Sequence, residues 1–436
     1  MLFAKSRTYT ALAAKNIHAS LIFIARLLVF CRIFAADFKI LFMQRLFALF
    51  FTILYLCPLA AAQENGQQRV SVLTCSPGEQ VYELFGHTAL RVVDERRGVD
   101  AVFNYGLFSF DEPNFIWRFV LGETDYLLGA TEYRYFIAEY SERGSGVTEQ
   151  VLNLDSAQTS ALIRSLTLNA MPQNRKYRYN FLFNNCTTKA RDKILEALGE
   201  GARIEYAAAS AGDSLSFRDI VHIYAVGCPW YQFGMDILLG APADELAARS
   251  GAQFAPFVLM RELSDATLIT GAATRPLVAS QRQLIDAQPR TAVRNNFTPF
   301  NAALLLLLFT LVVMLCERRS KRSFLLWDVL LMALQGLSGC VLLFMVLFSQ
   351  HPAVGCNWLL LWLNPAPLIL LPILLWRVRN NFSLNFMWIQ AAMPALFILA
   401  APFIGQSFPA PLFICAVVII IRSLFYIYKK NICALD

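Results

Sequence analysis

The sequence predicts an exported α+β domain followed by an α-helical transmembrane bundle of about five helices. Most charged side chains lie between residues 63 and 298, whereas residues 299–428 are nearly continuous apolar runs broken by short loops. The chain of 436 residues is 57% hydrophobic and 16% charged, which is too apolar for a single soluble domain. The overall composition is therefore the average of a polar domain and an apolar membrane region.

The stretch 43–62 is predicted to be a signal peptide. It contains a basic residue, an apolar core and an Ala-Ala-Ala cleavage site, which are the three parts of a secretory leader. We therefore predict that translation starts at Met43 and that residues 1–42 are upstream sequence. The alternative is a membrane segment over residues 20–36, which the two arginines inside that stretch disfavour.

Five later stretches are long and apolar enough, or nearly so, to cross a hydrocarbon core that needs about 20 apolar residues. They cover residues 299–316, 324–348, 357–376, 384–405 and 410–428. The connecting loops alternate between basic and neutral, so the positive-inside rule gives one consistent orientation. It places the soluble domain and the loop around His351 outside, and the tail of residues 429–436 in the cytoplasm.

Between the leader and the first span, residues 63–278 are predicted to form one exported α+β domain. Runs rich in β-branched and aromatic residues predict strands over residues 69–75, 87–93, 99–105, 147–153 and 177–183. Helical patterns cover residues 113–121, 155–169 and 186–198, with Asp155 as an N-cap and Gly199 as a stop signal. The polar residues 279–298 are predicted to be a linker into the first membrane helix.

Charge and cysteine usage exclude several classes of function. The net charge of +7 lies largely in the N-terminal extension and the membrane loops, and no basic patch with interleaved aromatic residues indicates nucleic-acid binding. The ten cysteines include no CxxC pair and no repeated spacing. We therefore predict no metal site, no cofactor and no disulfide scaffold, although a single Cys75–Cys228 disulfide stays open.

Two residues have the sequence context of a catalytic pair. His87 is one of four histidines, and the preceding Gly86 permits close backbone approach where a strand is predicted to begin. Cys186 follows two asparagines at the start of a predicted helix, whose dipole favours a thiolate. Taken singly, each also fits a packed core residue. Together they match the Cys/His arrangement of a nucleophilic enzyme.

A third polar group is needed to hold the imidazole in its productive tautomer. Asn104 lies on the next predicted strand, and a hairpin across residues 94–98 would bring it beside His87. The alternative is a strand-end residue that only satisfies backbone groups. Asn185, which directly precedes Cys186, is predicted to contact the substrate.

Several separated motifs, in the same order along the chain, resemble the Lnb family. They are Leu73-Thr74-Cys75-Ser76-Pro77-Gly78-Glu79, Leu84-Phe85-Gly86-His87, Phe103-Asn104-Tyr105-Gly106, Asn185-Cys186, Pro229-Trp230 and Leu239-Gly240-Ala241-Pro242-Ala243-Asp244. The resemblance covers about residues 65–428. More distantly, the order of the histidine and the cysteine resembles permuted papain-like domains such as lecithin:retinol acyltransferase.

The resemblance implies a lipoprotein N-acyltransferase in the bacterial inner membrane, with its soluble domain in the periplasm. Its implied partners are a membrane phospholipid or diacylated lipid as acyl donor and the N-terminal amine of a lipoprotein as acceptor. A cysteine thioester at Cys186 would carry the chain, with His87 as the base. Two rival functions stay open: a membrane-anchored cysteine peptidase or amidase of the cell envelope, and a non-enzymatic lipid-binding module.

Polar residues at the outer membrane boundary are predicted to bind lipid substrates. His351, Asn357 and Asn364 lie in or near the outward loop, where an unpaired polar group is costly, so headgroup binding or acyl guiding is expected. The alternative for these residues is a hydrogen bond between helices, which is favoured for Asn364. In the soluble domain, Arg218-Asp219 and His222 are candidates for substrate contact, but a surface ion pair and a half-buried histidine are the favoured interpretations.

Overall fold

The computed structural model describes residues 68–78, 80–207, 215–288, 297–320, 322–379 and 386–433. The predicted leader and the upstream residues 1–42 lie outside these ranges. From Gln67 onward the chain is one compact unit, in which a sheet-rich α+β domain is followed by five apolar helices long enough to cross a membrane. The predicted fold class is therefore confirmed. The finer likeness to permuted papain-like domains stays a prediction.

The described residues contain ten strands. They are β1 Gln68–Cys75, β2 His87–Asp94, β3 Val99–Leu107, β4 Asp125–Glu132, β5 Val147–Leu152, β6 Lys176–Arg178, β7 Ala202–Glu205, β8 Thr267–Thr270, β9 Ala273–Pro276 and β10 Val278–Ile285. Seven of them form an antiparallel sheet in the order β10-β5-β1-β2-β3-β4-β6, and β7, β8 and β9 form a small second sheet. The hairpin predicted across residues 94–98 joins β2 to β3.

Eight helices belong to the soluble domain as far as it is described. They are α1 Phe115–Leu121, α2 Tyr133–Glu142, α3 Ser156–Asn169, α4 Cys186–Ala197, α5 Phe217–Tyr224, α6 Pro229–Leu238, α7 Arg249–Ala252 and α8 Pro256–Ser264. Asp155 caps α3 as predicted, because its side chain accepts the backbone N–H of Gln158 in a capping box. Gly199 follows the end of α4 with a φ of 75°, the left-handed conformation that commonly terminates helices.

The two faces of the large sheet have separate cores. Val72 packs with side chains of α3, α4 and α8 on one face, and its neighbour Leu73 packs with Phe136 and Tyr140 of α2 on the other. This division follows from the alternation of side chains along a strand. Both faces are covered, so the central strands β1 and β2 are almost completely buried.

Two predicted boundaries in the soluble domain are wrong. The strand expected over residues 177–183 stops at Arg178, because Asn180 turns the chain by accepting the N–H groups of Leu182 and Phe183 on its Oδ1. The linker expected over residues 279–298 begins instead with β10, which pairs with β5 at the edge of the sheet. The side chains of β10 are mostly polar and exposed, so its sequence lacks the apolar pattern of a strand, and backbone hydrogen bonds hold it in the sheet.

The membrane region contains five helices: α9 Pro299–Ser320, α10 Leu325–Phe348, α11 Ala366–Arg379, α12 Phe386–Ala400 and α13 Ala410–Cys433. The third span, Trp358–Val378, starts as a short 3-10 helix and continues as α11. Near the loop that joins α9 to α10, Arg422 forms ion pairs with both Glu317 and Asp328. This pairing explains how three charged side chains can be buried between apolar helices.

The soluble domain is joined to the membrane region by hydrogen bonds to its backbone groups. The N–H of Gly240 donates to Ala353 O over 2.8 Å, and the Nδ2 of Asn357 donates to Ile237 O over 2.8 Å. A Cβ at Gly240 would collide with the backbone carbonyl of Gly355, so this approach requires glycine. The joint therefore fixes α6 and the segment that follows it on the outer end of the bundle.

The predicted surface ion pair at Arg218-Asp219 is wrong. Arg218 is 2% exposed and forms ion pairs with Asp236 and Asp244, whereas Asp219 accepts the backbone N–H of Ser216 at the start of α5. Arg218 also donates to the carbonyl oxygens of Leu239 and Gly240, so every part of its guanidinium group is used to hold the joint segment. Adjacent residues on a helix point in different directions, so Asp219 does not face Arg218. The partners of Arg218 are instead two carboxylates that are distant in the sequence, Asp236 and Asp244.

Candidate active site

His87 is placed by a backbone turn that only glycine allows. Gly86 has a φ of 75°, and a Cβ there would collide with the carbonyl oxygen of Cys75. The chain then enters β2 at His87, which is the register partner of Cys75 on β1. The imidazole is thus attached to the end of a rigid central strand.

Cys186 is the first residue of α4, and its position is set by the cap before it. The Oδ1 of Asn185 accepts the N–H groups of Thr187 and Thr188, each over 2.9 Å, and its Nδ2 donates to the carbonyls of Phe181 and Phe254. Asn185 is 6% exposed and uses its whole amide group in these contacts. The structure gives it a capping role, and its contact with substrate stays a prediction.

The three predicted catalytic residues lie together. The thiol of Cys186 and the His87 ring lie close enough for each to shift the pKa of the other, and His87 Nε2 lies 3.3 Å from the Oδ1 of Asn104. An amide oxygen can only accept, so Nε2 carries the proton and donates it to Asn104. Asn104 reaches this position because it is the register partner of Ala89, two residues beyond His87.

The electrostatics of the pair favour a thiolate and an imidazolium. Burial by itself would raise the pKa of Cys186, but the charge of His87 and hydrogen bonds from His87, the Thr88 N–H and Thr187 lower it to about 7. Burial also opposes charge on His87, yet the Cys186 thiolate and the hydrogen bond to Asn104 raise its pKa above the ordinary value. A large share of the thiol is therefore ionised at neutral pH.

The start of α4 offers few free N–H groups that could donate to an oxyanion. The N–H groups of Thr187 and Thr188 are already taken by Asn185, which leaves the N–H of Cys186 itself as the first-turn donor. The hydroxyl of Tyr177 is buried and has no hydrogen-bond partner among the described residues. Burial raises its pKa and the nearby Cys186 raises it further, so the phenol stays protonated and able to donate.

Sequence reasoning missed the contribution of the threonines and of Tyr177. The hydroxyls of Thr88 and Thr187 share a hydrogen bond of 3.1 Å that ties β2 to α4 beside the pair. Each threonine directly follows one of the two catalytic candidates in the sequence, and this adjacency could have predicted that it lies at the site. Tyr177 carried no such signal, because its place near the thiol depends on the pairing of β6 with β4.

The polar residues predicted at the membrane boundary make contacts within the protein. His351 Nε2 lies 2.8 Å from the carbonyl oxygen of Phe119, and Asn357 is 4% exposed and caps the 3-10 helix that opens the third span. The Oδ1 of Asn364 accepts the N–H of Ala366 at the start of α11, a local cap rather than the favoured bond between helices. None of the three is brought next to Cys186 by these contacts, and their lipid-binding roles stay predictions.

Comparison with known protein families identifies the family of this chain. The family model described as the Lnb N-terminal periplasmic domain matches residues 59–212, and that of the Lnb transmembrane domain matches residues 291–431. The searches of curated proteins and of solved structures gave no match. The first match contains His87, Asn104 and Cys186, and the second contains the five membrane helices. The chain is a multi-pass membrane protein with a periplasmic domain, and it belongs to the Lnb family.

Proposed function

We propose that this protein is a lipoprotein N-acyltransferase of the bacterial inner membrane, with its C-terminus in the cytoplasm. It moves a fatty acyl chain from a phospholipid or diacylated lipid to the N-terminal amine of a lipoprotein through a thioester on Cys186. The observation that carries the proposal is the Cys186–His87 pair, with a thiol pKa of about 7, in a domain fixed to five membrane helices.

The first half-reaction takes the acyl chain from the lipid. The thiolate of Cys186 attacks the ester carbonyl, the S–C bond forms, and the C–O bond to the lipid alcohol breaks. His87, which holds the thiol proton, gives it to the leaving alkoxide. The tetrahedral oxyanion lies near the Cys186 N–H and the unpaired Tyr177 hydroxyl, which supply the donors such an intermediate needs.

The second half-reaction transfers the chain to the lipoprotein. The neutral amine attacks the thioester carbonyl, the N–C bond forms, and the S–C bond breaks. His87 accepts the proton that the amine loses, and the released thiolate restores the starting ion pair. Asn104 keeps the ring oriented through both halves by accepting the Nε2 proton.

Reconstitution tests this function directly. Purified full-length protein in lipid nanodiscs is incubated with a synthetic diacylated lipopeptide, and mass spectrometry follows both the protein and the peptide. We expect an acyl group on Cys186 of the protein and a third chain on the α-amine of the peptide. An acylated thiol that releases only free fatty acid or a cleaved peptide would instead support the hydrolase, and an unmodified thiol would support the binding module.

A further inference from the structure

The segment that follows β3 carries an unusual share of exposed apolar side chains. Ile116 is 73% exposed and Trp117 is 56% exposed in α1, and Leu107 and Phe110 before the helix are also exposed. Only Phe115 of α1 is buried. A short helix that turns most of its apolar residues away from its own domain needs a partner outside that domain.

The position of α1 identifies this partner as lipid. The carbonyl oxygens of its last turn accept hydrogen bonds from the residues just after α10: Ser349 Oγ donates to Val120 O, and the N–H of Gln350 donates to Leu121 O, each over 2.8 Å. His351 also contacts the carbonyl oxygen of Phe119. The helix is thus attached to the outer end of a membrane span.

The side chains of α1 extend along α10, past its last residue and toward the middle of the membrane span. Trp117 packs on Phe344 of α10 with ring centroids 4.9 Å apart, and Phe344 lies four residues, about 6 Å, before the last residue of the helix. Around it, Leu347 and Phe348 of α10 are exposed, as lipid-facing residues are. The exposed face of α1 therefore continues the lipid-facing surface of α10.

We propose that residues 107–121, the membrane-facing segment, are inserted in the leaflet on the side of the soluble domain and lead acyl chains to Cys186. The insertion stands on the contacts with α10 alone, whereas the delivery of acyl chains rests on the proposed function. The occupant of the apolar face is the acyl-chain layer of the bilayer.

The same segment begins at the reactive thiol. A Cβ built on Gly106, directly before the segment, would lie 3.7 Å from the Cβ of Cys186. Phe108 then stacks on Tyr126 with centroids 5.0 Å apart, and Tyr126 stacks on Tyr179 at 4.0 Å. A series of aromatic contacts thus runs from the neighbourhood of the thiol toward α1, and we infer that acyl chains follow this apolar route to Cys186.

Depth-dependent quenching tests the insertion. A fluorescent coumarin amino acid is incorporated in place of Ile116 in the full-length protein, which is placed in nanodiscs of phosphatidylcholine and phosphatidylglycerol. We expect quenching by lipids that carry a nitroxide on the acyl chain and protection from aqueous iodide. The matched control replaces Leu168 of α3, which is 49% exposed, and we expect the opposite pattern there.

Either of two results would overturn the insertion. Iodide quenching at position 116 as strong as at position 168 would place the helix in water. Protection from both quenchers would show a second copy or another protein on this face.

A comparison of two donors tests the delivery. Ile116→Asp puts a charge at the lipid surface, so we expect about tenfold slower acylation of Cys186 by phospholipid. With a water-soluble short-chain thioester the rate stays within about twofold of the native rate, and Leu168→Asp changes neither rate. Equal slowing with both donors would overturn the delivery. If native Cys186 accepts a chain from neither donor, the proposed function fails, and the quenching result still decides the insertion.

Discussion

Cys75 ends β1 directly opposite His87, and Cys186 begins α4 beside the same histidine. Burial raises the pKa of Cys75 well above the ordinary value, and a hydrogen bond with Tyr140 lowers it only in part. At Cys186 burial acts in the same direction, but the charge of His87 and hydrogen bonds from His87, the Thr88 N–H and Thr187 together outweigh it. Closeness to a histidine therefore does not activate a thiol. A charged partner and donors aimed at the sulfur are required.

The largest expected difference between the two cysteines is in catalysis. Cys186→Ala removes the nucleophile, so we expect transfer to fall by about 10⁴-fold or more and no acyl-enzyme to form. Cys75→Ala removes only a buried sulfur, and activity should stay within about threefold of the native value. Mass spectrometry of the protein after incubation with phospholipid checks both variants. An acyl-enzyme that survives in Cys186→Ala would disprove the assignment of the nucleophile.

Removing the shared histidine should make Cys186 resemble an ordinary thiol. His87→Ala deletes the charge and the hydrogen bond that lower the Cys186 pKa, so the pKa should rise above about 8 and transfer should fall by about 10³-fold. Iodoacetamide alkylation followed by peptide mapping reports the pKa of each cysteine separately. A Cys186 pKa that stays near 7 in this variant would assign the activation to the helix start instead.

The pH dependence should separate the two thiols in the native protein. The thiolate is the reactive form, so alkylation of Cys186 rises with pH and levels off above its pKa of about 7. Between pH 8 and pH 5 the rate should fall by about 100-fold, because the thiolate fraction drops tenfold for each pH unit below the pKa. Cys75 should stay unreactive across this range. Stopped-flow alkylation at constant ionic strength gives both profiles.

Asn104 should have the smallest effect of the set. Its hydrogen bond raises the pKa of His87 and fixes the ring, so Asn104→Ala should lower that pKa and slow transfer by about tenfold. If Asn104 only stabilised the fold, Asn104→Ala would change the rate without changing the pH profile. A profile shifted toward a higher thiol pKa in Asn104→Ala and restored in Asn104→Gln would show that Asn104 acts by positioning His87.

Local patterns predicted much of the site. The hairpin of β2 and β3 was visible as two short strands separated by a turn, and it brings Asn104 to His87 because antiparallel neighbours have a fixed register. The cap of α3 at Asp155 was visible in the same way. In contrast, Asn180 turned a predicted strand into a loop by its own side-chain hydrogen bonds, which compete with the ladder at short range.

The sequence by itself determined the division into a polar domain and five apolar spans, because hydrophobic length and composition are properties of consecutive residues. It also marked His87 and Cys186 by their local context. Only the tertiary structure decided that the pKa of Cys186 is lowered and that of Cys75 is raised, that Arg218 is buried, and that α1 packs on α10. These outcomes depend on partners from distant parts of the chain, as in the contact of Thr88 with Thr187 across 99 positions. The burial and pairing of a polar group are set by what packs around it.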